Sequence, residues 1–253
     1  MQGAYGPLEA AEWSRELEGE PAAEIVRRAV ERFGDGLVLA SAFGKDSLVI
    51  LDLARRWRPG LPVLFLDTGY HFPETLAFRD RLRTEWGANI LDIRPLRTVA
   101  QQDAALAPHL YARDPDRCCA LRKVDPLHRA LQGKSAWLSG LRRTQHPSRA
   151  QTPIVEWQEL PGGGGVFKVH PLAGWTLAEV EAYLEQHDVP RHPLWARGYP
   201  SVGCAPCTQP ASVGDGERSG RWKGIGKVEC GIHRVGLAGA EGSDARFTGP
   251  ERA

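Results

Sequence analysis

The sequence predicts an α/β chain built on a doubly wound, mainly parallel sheet. Three observations predict it. Short apolar runs bounded by turn residues, at 36–41, 62–66, 89–93 and 135–139, read as strands covered on both faces. Segments with helical spacing lie between several of them, the alternation that builds parallel sheets from crossovers. The runs also exit into small or polar residues: Ser41 to Ser47, Asp67-Thr68-Gly69 and Gly140-Leu-Arg-Arg143. Open α/β sheets bind ligands at those strand ends.

Taken in order, residues 1–35 are expected to form an N-terminal helical unit. Leu8–Leu17 is short and amphipathic. Pro21 opens a second helix, where its missing N–H costs nothing, and Ile25, Val26, Ala29, Val30 and Phe33 recur at helical spacing before Gly34. Residues 36–212 form the expected nucleotide-binding domain. Its first strand runs into Ser41-Ala-Phe-Gly-Lys-Asp-Ser47, followed by a helix over 48–54. A strand, a small-residue loop and a helix N-terminus direct backbone N–H groups and the helix dipole at an anion. The spacing is neither the Walker loop nor the dinucleotide fingerprint. Pro62–Leu66 is the second strand, a helix runs from Pro73 through Trp86, and Asn89–Ile93 is the third strand. An amphipathic segment over 121–131 precedes the fourth strand, Ser135–Ser139. Two further strands, 152–157 and 166–170, join across Gly162 to Gly165, and Thr176-Leu-Ala-Glu179 is a capping box opening a helix to about His187. Residues 213–253 form a Gly-rich tail, expected to be flexible.

The formal net charge of +1 gives no bulk basic character for binding nucleic acid. No apolar run approaches the roughly 20 residues of a membrane span. Neither a membrane nor a nucleic acid is an expected partner, and no secretory signal is visible at the N-terminus. A cytoplasmic, reducing setting is expected, where the five cysteines serve as ligands or catalysts rather than disulfides.

Four of those cysteines form two pairs, Cys118-Cys119 and Cys204-Ala-Pro-Cys207. Four thiolates are the usual complement for a cubane iron–sulfur cluster or a structural zinc. Neighbours on a helix point about 100° apart, which suits two corners of a bulky cluster better than one compact ion. A redox Cys-x-x-Cys would leave the adjacent pair unexplained. Arg117, Arg122 and Lys123 surround that pair with positive charge, which suits an anionic cluster. The fifth cysteine, Cys230, stands apart in Lys227-Val-Glu-Cys-Gly-Ile-His233. A cysteine attacks as thiolate, and a nearby cation lowers its pKa.

Together these residues resemble the assimilatory adenylyl-sulfate reductases of bacteria and plants. The matches are the Phe43-Gly44 loop within 41–47, Leu66-Asp-Thr-Gly69, Cys118-Cys119 with Lys123, Ser139-Gly-Leu-Arg-Arg143, Cys204-x-x-Cys207, Arg218 and Arg221, and Glu229-Cys-Gly-Ile-His233. They cover about residues 36–233 in family order. The resemblance implies an adenine-nucleotide α-hydrolase-like fold, a [4Fe–4S] cluster on Cys118, Cys119, Cys204 and Cys207, and thioredoxin or a similar thiol carrier as reductant. It leaves homo-oligomerisation open. Relatives that use 3′-phosphoadenylyl sulfate keep the Glu-Cys-Gly-x-His tail but lack the four cluster cysteines, so the substrate expected here is adenylyl sulfate. The loop departs from the family: Gly44-Lys-Asp-Ser47 stands where many members have Gly-Ala-Glu-Asp, and is closer to ATP pyrophosphatases of the superfamily.

The expected reaction reduces adenylyl sulfate to sulfite and AMP in sulfate assimilation. Cys230 is the nucleophile, giving a sulfonated cysteine, and His233 orients or activates it. An anionic nucleophile approaching an anionic sulfate needs fixed cations. Arg142, Arg143, Arg149, Arg218, Arg221 and Lys123 are the candidates, with the guanidinium forks suited to sulfate and phosphate. Ser41, Phe43, Gly44, Lys45, Thr68 and Gly140 complete the expected substrate-binding set. Three other readings compete: a reductase that prefers 3′-phosphoadenylyl sulfate is the first. An ATP-dependent tRNA thiolase with an iron–sulfur cluster explains Gly-Lys-Asp-Ser and the cysteines but not Glu229 to His233; a zinc- or cluster-bearing nucleotide sensor would bind without producing sulfite.

Overall fold

Every residue of β1 (Leu37–Ala40) is apolar because both faces of the strand are covered. Leu37 and Leu39 point into the larger core, and Val38 into a smaller cluster on the other side of the sheet. The structure is a computed structural model and describes residues 5–212, 214–224, 227 and 229–233. Most of the expected C-terminal tail, residues 234–253 with 213, 225, 226 and 228, lies outside the described residues.

The sheet has six strands in the order β3-β2-β1-β4-β6-β5. They are β1, β2 (Val63–Leu66), β3 (Ile90–Ile93), β4 (Ala136–Leu138), β5 (Val155–Glu159) and β6 (Gly165–Val169). All neighbours pair in parallel except β5, which forms an antiparallel hairpin with β6. Helices α1 (Pro7–Leu17), α2 (Ala22–Phe33), α3 (Lys45–Arg55) and α4 (Pro73–Thr84) follow in order. After β3 come α5 (Val99–Leu106), α6 (Leu110–Arg113), α7 (Pro115–Cys119) and α8 (Asp125–Leu131), and after β6 comes α9 (Leu177–Gln186). Trp13, Ile25, Leu48, Phe78 and Val180 bring α1–α4 and α9 into the larger core, while Leu127 and Leu131 of α8 cover the opposite face.

The strand–helix alternation is therefore the predicted one, with small shifts. α3 starts at Lys45 rather than 48, because the Gly44 carbonyl already accepts from the Leu48 N–H at 3.1 Å. β5 starts at Val155 rather than 152, because the Thr152 N–H and C=O are taken by Arg149 and by Arg143. Helix α5 was not expected, although Thr98 and Gln101 form the capping box that announces it.

The predicted segment over 121–131 divides into a π-helical turn, Ala120–Val124, and α8. Pro126 explains the division. It has no N–H to give the Arg122 carbonyl, and its ring crowds that group. The ladder widens, and the Asp125 N–H bonds to Ala120 O instead.

A largely buried polar cluster on the β5–β6 hairpin contributes to the acid stability. His170 Nε2 lies 3.2 Å from Glu156 Oε1, which also pairs with Lys168 Nζ at 2.7 Å. Burial pushes His170 down to about 4 from 6.5. Burial alone would raise Glu156, but the His170 bond and the Lys168 charge take it down to about 2. His192, bonded to Thr75 Oγ1 at 3.0 Å, is also lowered by burial to about 4. Below pH 6.5 the unfolded chain gains protons on His170 and His192 that the folded chain refuses, so stability falls as pH falls toward 4. Glu156 continues the loss toward pH 2. The melting midpoint is therefore expected to drop steadily from pH 6.5 to 4; a flat or rising midpoint across that window would contradict this account.

Candidate active site

The chain runs outward from β1 to β2 and β3, then returns to place β4 on the other side of β1. A crevice opens where that order reverses, outside the strands' carboxyl ends. Ala40 to Ala42 after β1, Leu66 ending β2, and Trp137, Ser139 and Gly140 of β4 and its exit line it. Ser41 Oγ accepts from the Phe43 N–H at 2.8 Å and meets Ser47 Oγ at 2.7 Å, which closes the loop before α3. No side chain caps α3, and Gly44, Asp46 and Ser47 of its first turn face the cavity. Its free N–H groups and dipole favour an anion there. A Cβ on Gly140 would stand 2.9 Å from Asp46 Cβ and 3.1 Å from Ser47 N, so only glycine lets the β4 exit lie this close.

A second cavity adjoins the first and is lined by Cys118, Cys119, Cys204 and Cys207, with Tyr70, Tyr111, Arg122, Lys123 and Trp222. Thr68 ties the 204–207 loop to Arg122, which lines the same cavity. Its Oγ1 lies 3.3 Å from Cys204 Sγ, and its carbonyl accepts from Arg122 Nε. A bridge between His71 and Cys204, and the Ala205 N–H to Tyr70 O at 2.7 Å, fix the Cys204 loop to the exit of β2. All five cysteines are free thiols. Burial, with Cys204 and Cys207 nearby, pushes the Cys118 thiol up to about 11. Burial and Cys204 raise Cys207 as well. Among the described residues no three His, Cys, Asp or Glu side chains converge on a single ion position.

Lys123 lines both cavities, one turn beyond the adjacent cysteines. Burial works against its charge, but the sulfurs of Cys204, Cys230 and Cys119 outweigh it and raise its pKa. Arg122 is buried and donates to Gln102 Oε1 at 3.0 Å, whereas Arg117 is exposed and lines neither cavity.

Arg218, Arg221, Cys230, Ile232 and His233 line the first cavity and Trp222 the second. The Trp222 N–H bonds to Cys207 O at 3.0 Å, and the Trp222 ring lies 4.5 Å from the Arg221 guanidinium and 5.5 Å from that of Arg218. Cys230, only 7% exposed, and His233 line the first cavity. A Cβ on Gly231 would meet Val124 Cγ2 at 2.8 Å, so glycine lets this turn pack on the π turn that carries Lys123. The Cys119 thiol is hydrogen-bonded to Cys230 and, despite burial, is the largest influence lowering the Cys230 pKa; Lys123, the Ile232 N–H and Arg221 add to it. The sequence suggests Lys227 for that role, but Lys227 pairs with Asp116 instead. Burial holds His233 neutral, with the Lys168 and Arg149 charges adding to the effect, and its ring stacks on Trp137 at 6.4 Å.

The predicted substrate residues divide. Ser41, Gly44, Gly140, Arg149, Arg218 and Arg221 line the first cavity with Lys123. Five others do not, and each has another use. The Phe43 ring is fully buried and stacks on Phe65 at 5.2 Å, a core position. Lys45 pairs with Glu181 of α9. Thr68 belongs to the cysteine cavity's frame rather than to the nucleotide crevice. Arg142, with no side-chain exposure, is held by Asp46 and Glu217. Arg143 forms a two-point bridge to Glu18 of α1, both contacts at 2.7 Å. Sequence reasoning also passed over His71, Gln145 and the Ser201–Gly203 loop, all cavity-lining and without a motif of their own. Glu229, quoted only as part of the Glu-Cys-Gly-Ile-His motif, was given no role of its own. Burial and Arg149 pull the neighbouring Arg218 down to about 10, a sign of crowded positive charge.

Comparison with known proteins agrees with this geometry. Adenosine 5′-phosphosulfate reductase of Streptomyces coelicolor is 48% identical over 219 residues, covering 87% of this chain and 91% of the relative. The protein of the same name from Mycolicibacterium smegmatis is 44% identical over 86% of this chain and 90% of its own. A phosphoadenosine 5′-phosphosulfate reductase of Gloeobacter violaceus is 47% identical over 83% of this chain and 87% of the relative. Among solved structures, phosphoadenylyl-sulfate reductase from Candida auris superposes with a TM-score of 0.67 at 27% identity, covering 80% of this chain and 97% of that one. FMN adenylyltransferase of Candida glabrata, at 15% identity and a TM-score of 0.55, shares the fold alone. Residues 36–210 match the phosphoadenosine phosphosulfate reductase domain, which takes in the strand ends of the crevice, both cysteine pairs and Arg149, and the chain belongs to that reductase family.

Proposed function

We propose that this protein reduces adenylyl sulfate to sulfite and AMP in sulfate assimilation, with Cys230 as nucleophile. One observation carries the reading. Cys230 lies in a nucleotide-type crevice whose walls hold Lys123, Arg149, Arg218 and Arg221. AMP fits the strand ends and the α3 N-terminus, and the sulfate faces the cations. The Cys230 thiolate attacks the sulfate sulfur, the bond from that sulfur to the phosphate oxygen breaks, and AMP departs with the electron pair. Cys230–S–SO3⁻ remains. A thiolate of a dithiol carrier of the thioredoxin type then attacks the Cys230 sulfur and sulfite leaves. The carrier's second thiol resolves the mixed disulfide, so the carrier supplies both electrons and Cys230 is restored. Cationic walls offset the repulsion between thiolate and sulfate in the first step. His233, neutral and beside the thiol's turn, serves to orient it.

Cys230 is too buried for a protein-sized reductant. The Glu217–Arg142, Glu229–Arg149 and Lys227–Asp116 pairs that hold its segment down must therefore open between the two half-reactions.

The cysteine cavity fits a [4Fe–4S] cluster. Its lining offers four thiols, no carboxylate and no imidazole, and two cations to face an anionic group. Cys118, Cys119, Cys204 and Cys207 would hold it. A bound cluster would supply iron–sulfur bonds to these four residues and negative charge beside Lys123. An iron-bound Cys119 has no proton to give Cys230, so Lys123, Arg221 and the Ile232 N–H then carry the thiolate's stabilisation.

The test is a sulfite assay with purified protein, a dithiol carrier and either adenylyl sulfate or its 3′-phosphorylated form. The expected kcat/KM is at least about tenfold higher for adenylyl sulfate, a discrimination of about 1.4 kcal/mol. Equal or reversed values would exclude this substrate choice, and ATP pyrophosphate cleavage without sulfite would exclude the reaction.

A further inference from the structure

We propose that Glu229 is a positioning residue that sets the separation between the Cys230 thiol and the arginines receiving the substrate's anionic end. The inference rests on the reading of Cys230 as nucleophile toward adenylyl sulfate.

Glu229 is buried, 9% exposed, and its carboxylate is fully engaged. Arg149 donates from Nε at 2.7 Å and from Nη2 at 2.8 Å, one bond to each oxygen. Arg218 Nη2 donates at 3.0 Å, and the Cys230 backbone N–H donates at 2.8 Å to the same oxygen, Oε1. One rigid group thus holds both the nucleophile's backbone and two cations of the cavity wall. Two guanidinium donors are left over. Among the described residues the Nε groups of Arg218 and Arg221 are buried without an acceptor, and both residues line the crevice. Buried cationic donors without acceptors are costly, and the oxygens of a sulfate or phosphate satisfy them in the geometry guanidinium favours. Glu229 keeps its own bonds while the anion takes the free ones, so the thiol and the sulfate sulfur meet at a distance fixed by one side chain. Misplacement by about 1 Å can cost roughly 10²-fold in rate.

The test measures single-turnover sulfonation of Cys230 by mass spectrometry, beside AMP binding by calorimetry, in the parent protein, Glu229→Gln and Glu229→Asp. Glu229→Gln keeps an acceptor for the Cys230 N–H but loses the charge that anchors both arginines. Its sulfonation is expected to slow at least about tenfold, with AMP bound no more weakly than by the parent. Glu229→Asp keeps the charge but is one methylene too short to hold both partners, and is expected to slow as well. A purely structural role would weaken AMP binding and sulfonation together, and that result would overturn the proposal, as would parental sulfonation rates in both variants. A parent protein that itself gains no adduct overturns the reading of the reaction and this inference with it; a parental adduct with unslowed variants overturns the inference alone.

Discussion

Cys230→Ser is expected to release no sulfite, a fall on the order of 10⁴-fold or more, because a serine hydroxyl is a weak nucleophile without a base to activate it. The local surroundings make the expectation specific. Cys230 lies near Lys123, Arg221 and the Ile232 N–H, groups that favour a charged sulfur rather than the loss of a hydroxyl proton. The parent protein, incubated with adenylyl sulfate and no reductant, should gain the mass of one SO3 group on Cys230. The serine variant should gain none. It should still bind AMP, since the strand ends and the first turn of α3 that line the crevice do not involve the thiol. An adduct mapped to Cys118, Cys119, Cys204 or Cys207, or turnover by the serine variant, would remove Cys230 from the mechanism.

The second large effect concerns the four thiols of the neighbouring cavity. Protein isolated without oxygen is expected to be brown and to contain iron and sulfide in equal amounts. Replacing any one of Cys118, Cys119, Cys204 and Cys207 by serine should remove iron and activity together and lower the melting midpoint. The reason for the stability loss is structural. Thr68 contacts Cys204, and the Cys207 carbonyl anchors Trp222, so the cavity also supports the segment that carries Arg218 and Arg221. Cys119→Ser removes in addition the direct neighbour of Cys230. Stoichiometric zinc with no iron in the anaerobic protein would overturn the cluster assignment, and so would serine variants that keep full iron content.

The reach of sequence reasoning can be read from individual residues. The strands at 37–40, 63–66, 90–93 and 136–138 were legible because an apolar run between turn residues is a local property. The π turn was not, although its cause, Pro126, stands in the sequence, because the signal is the loss of one hydrogen bond inside a longer helical pattern. Thr98 and Gln101 carried a readable capping box that the surrounding weak periodicity obscured.

The arginines show the division most clearly. Arg142, Arg143, Arg149, Arg218 and Arg221 are equivalent as letters, each a fork suited to sulfate or phosphate. The fold gives two of them to carboxylates far away in the chain: Arg142 to Asp46 and Glu217, Arg143 to Glu18. The other three line the cavity wall, Arg149 and Arg218 while paired with Glu229. Sequence by itself determined the α/β class, the paired cysteines, and the isolated Cys230 in Glu-Cys-Gly-Ile-His. Those depend on periodicity and on spacing along the chain. Only the tertiary structure decided which cations line the crevice, that Phe43 is core, and that Cys119 and Lys123 rather than Lys227 flank the Cys230 thiol. A charge is committed by whatever opposite charge folding brings within a few ångströms, and that partner lies anywhere in the sequence.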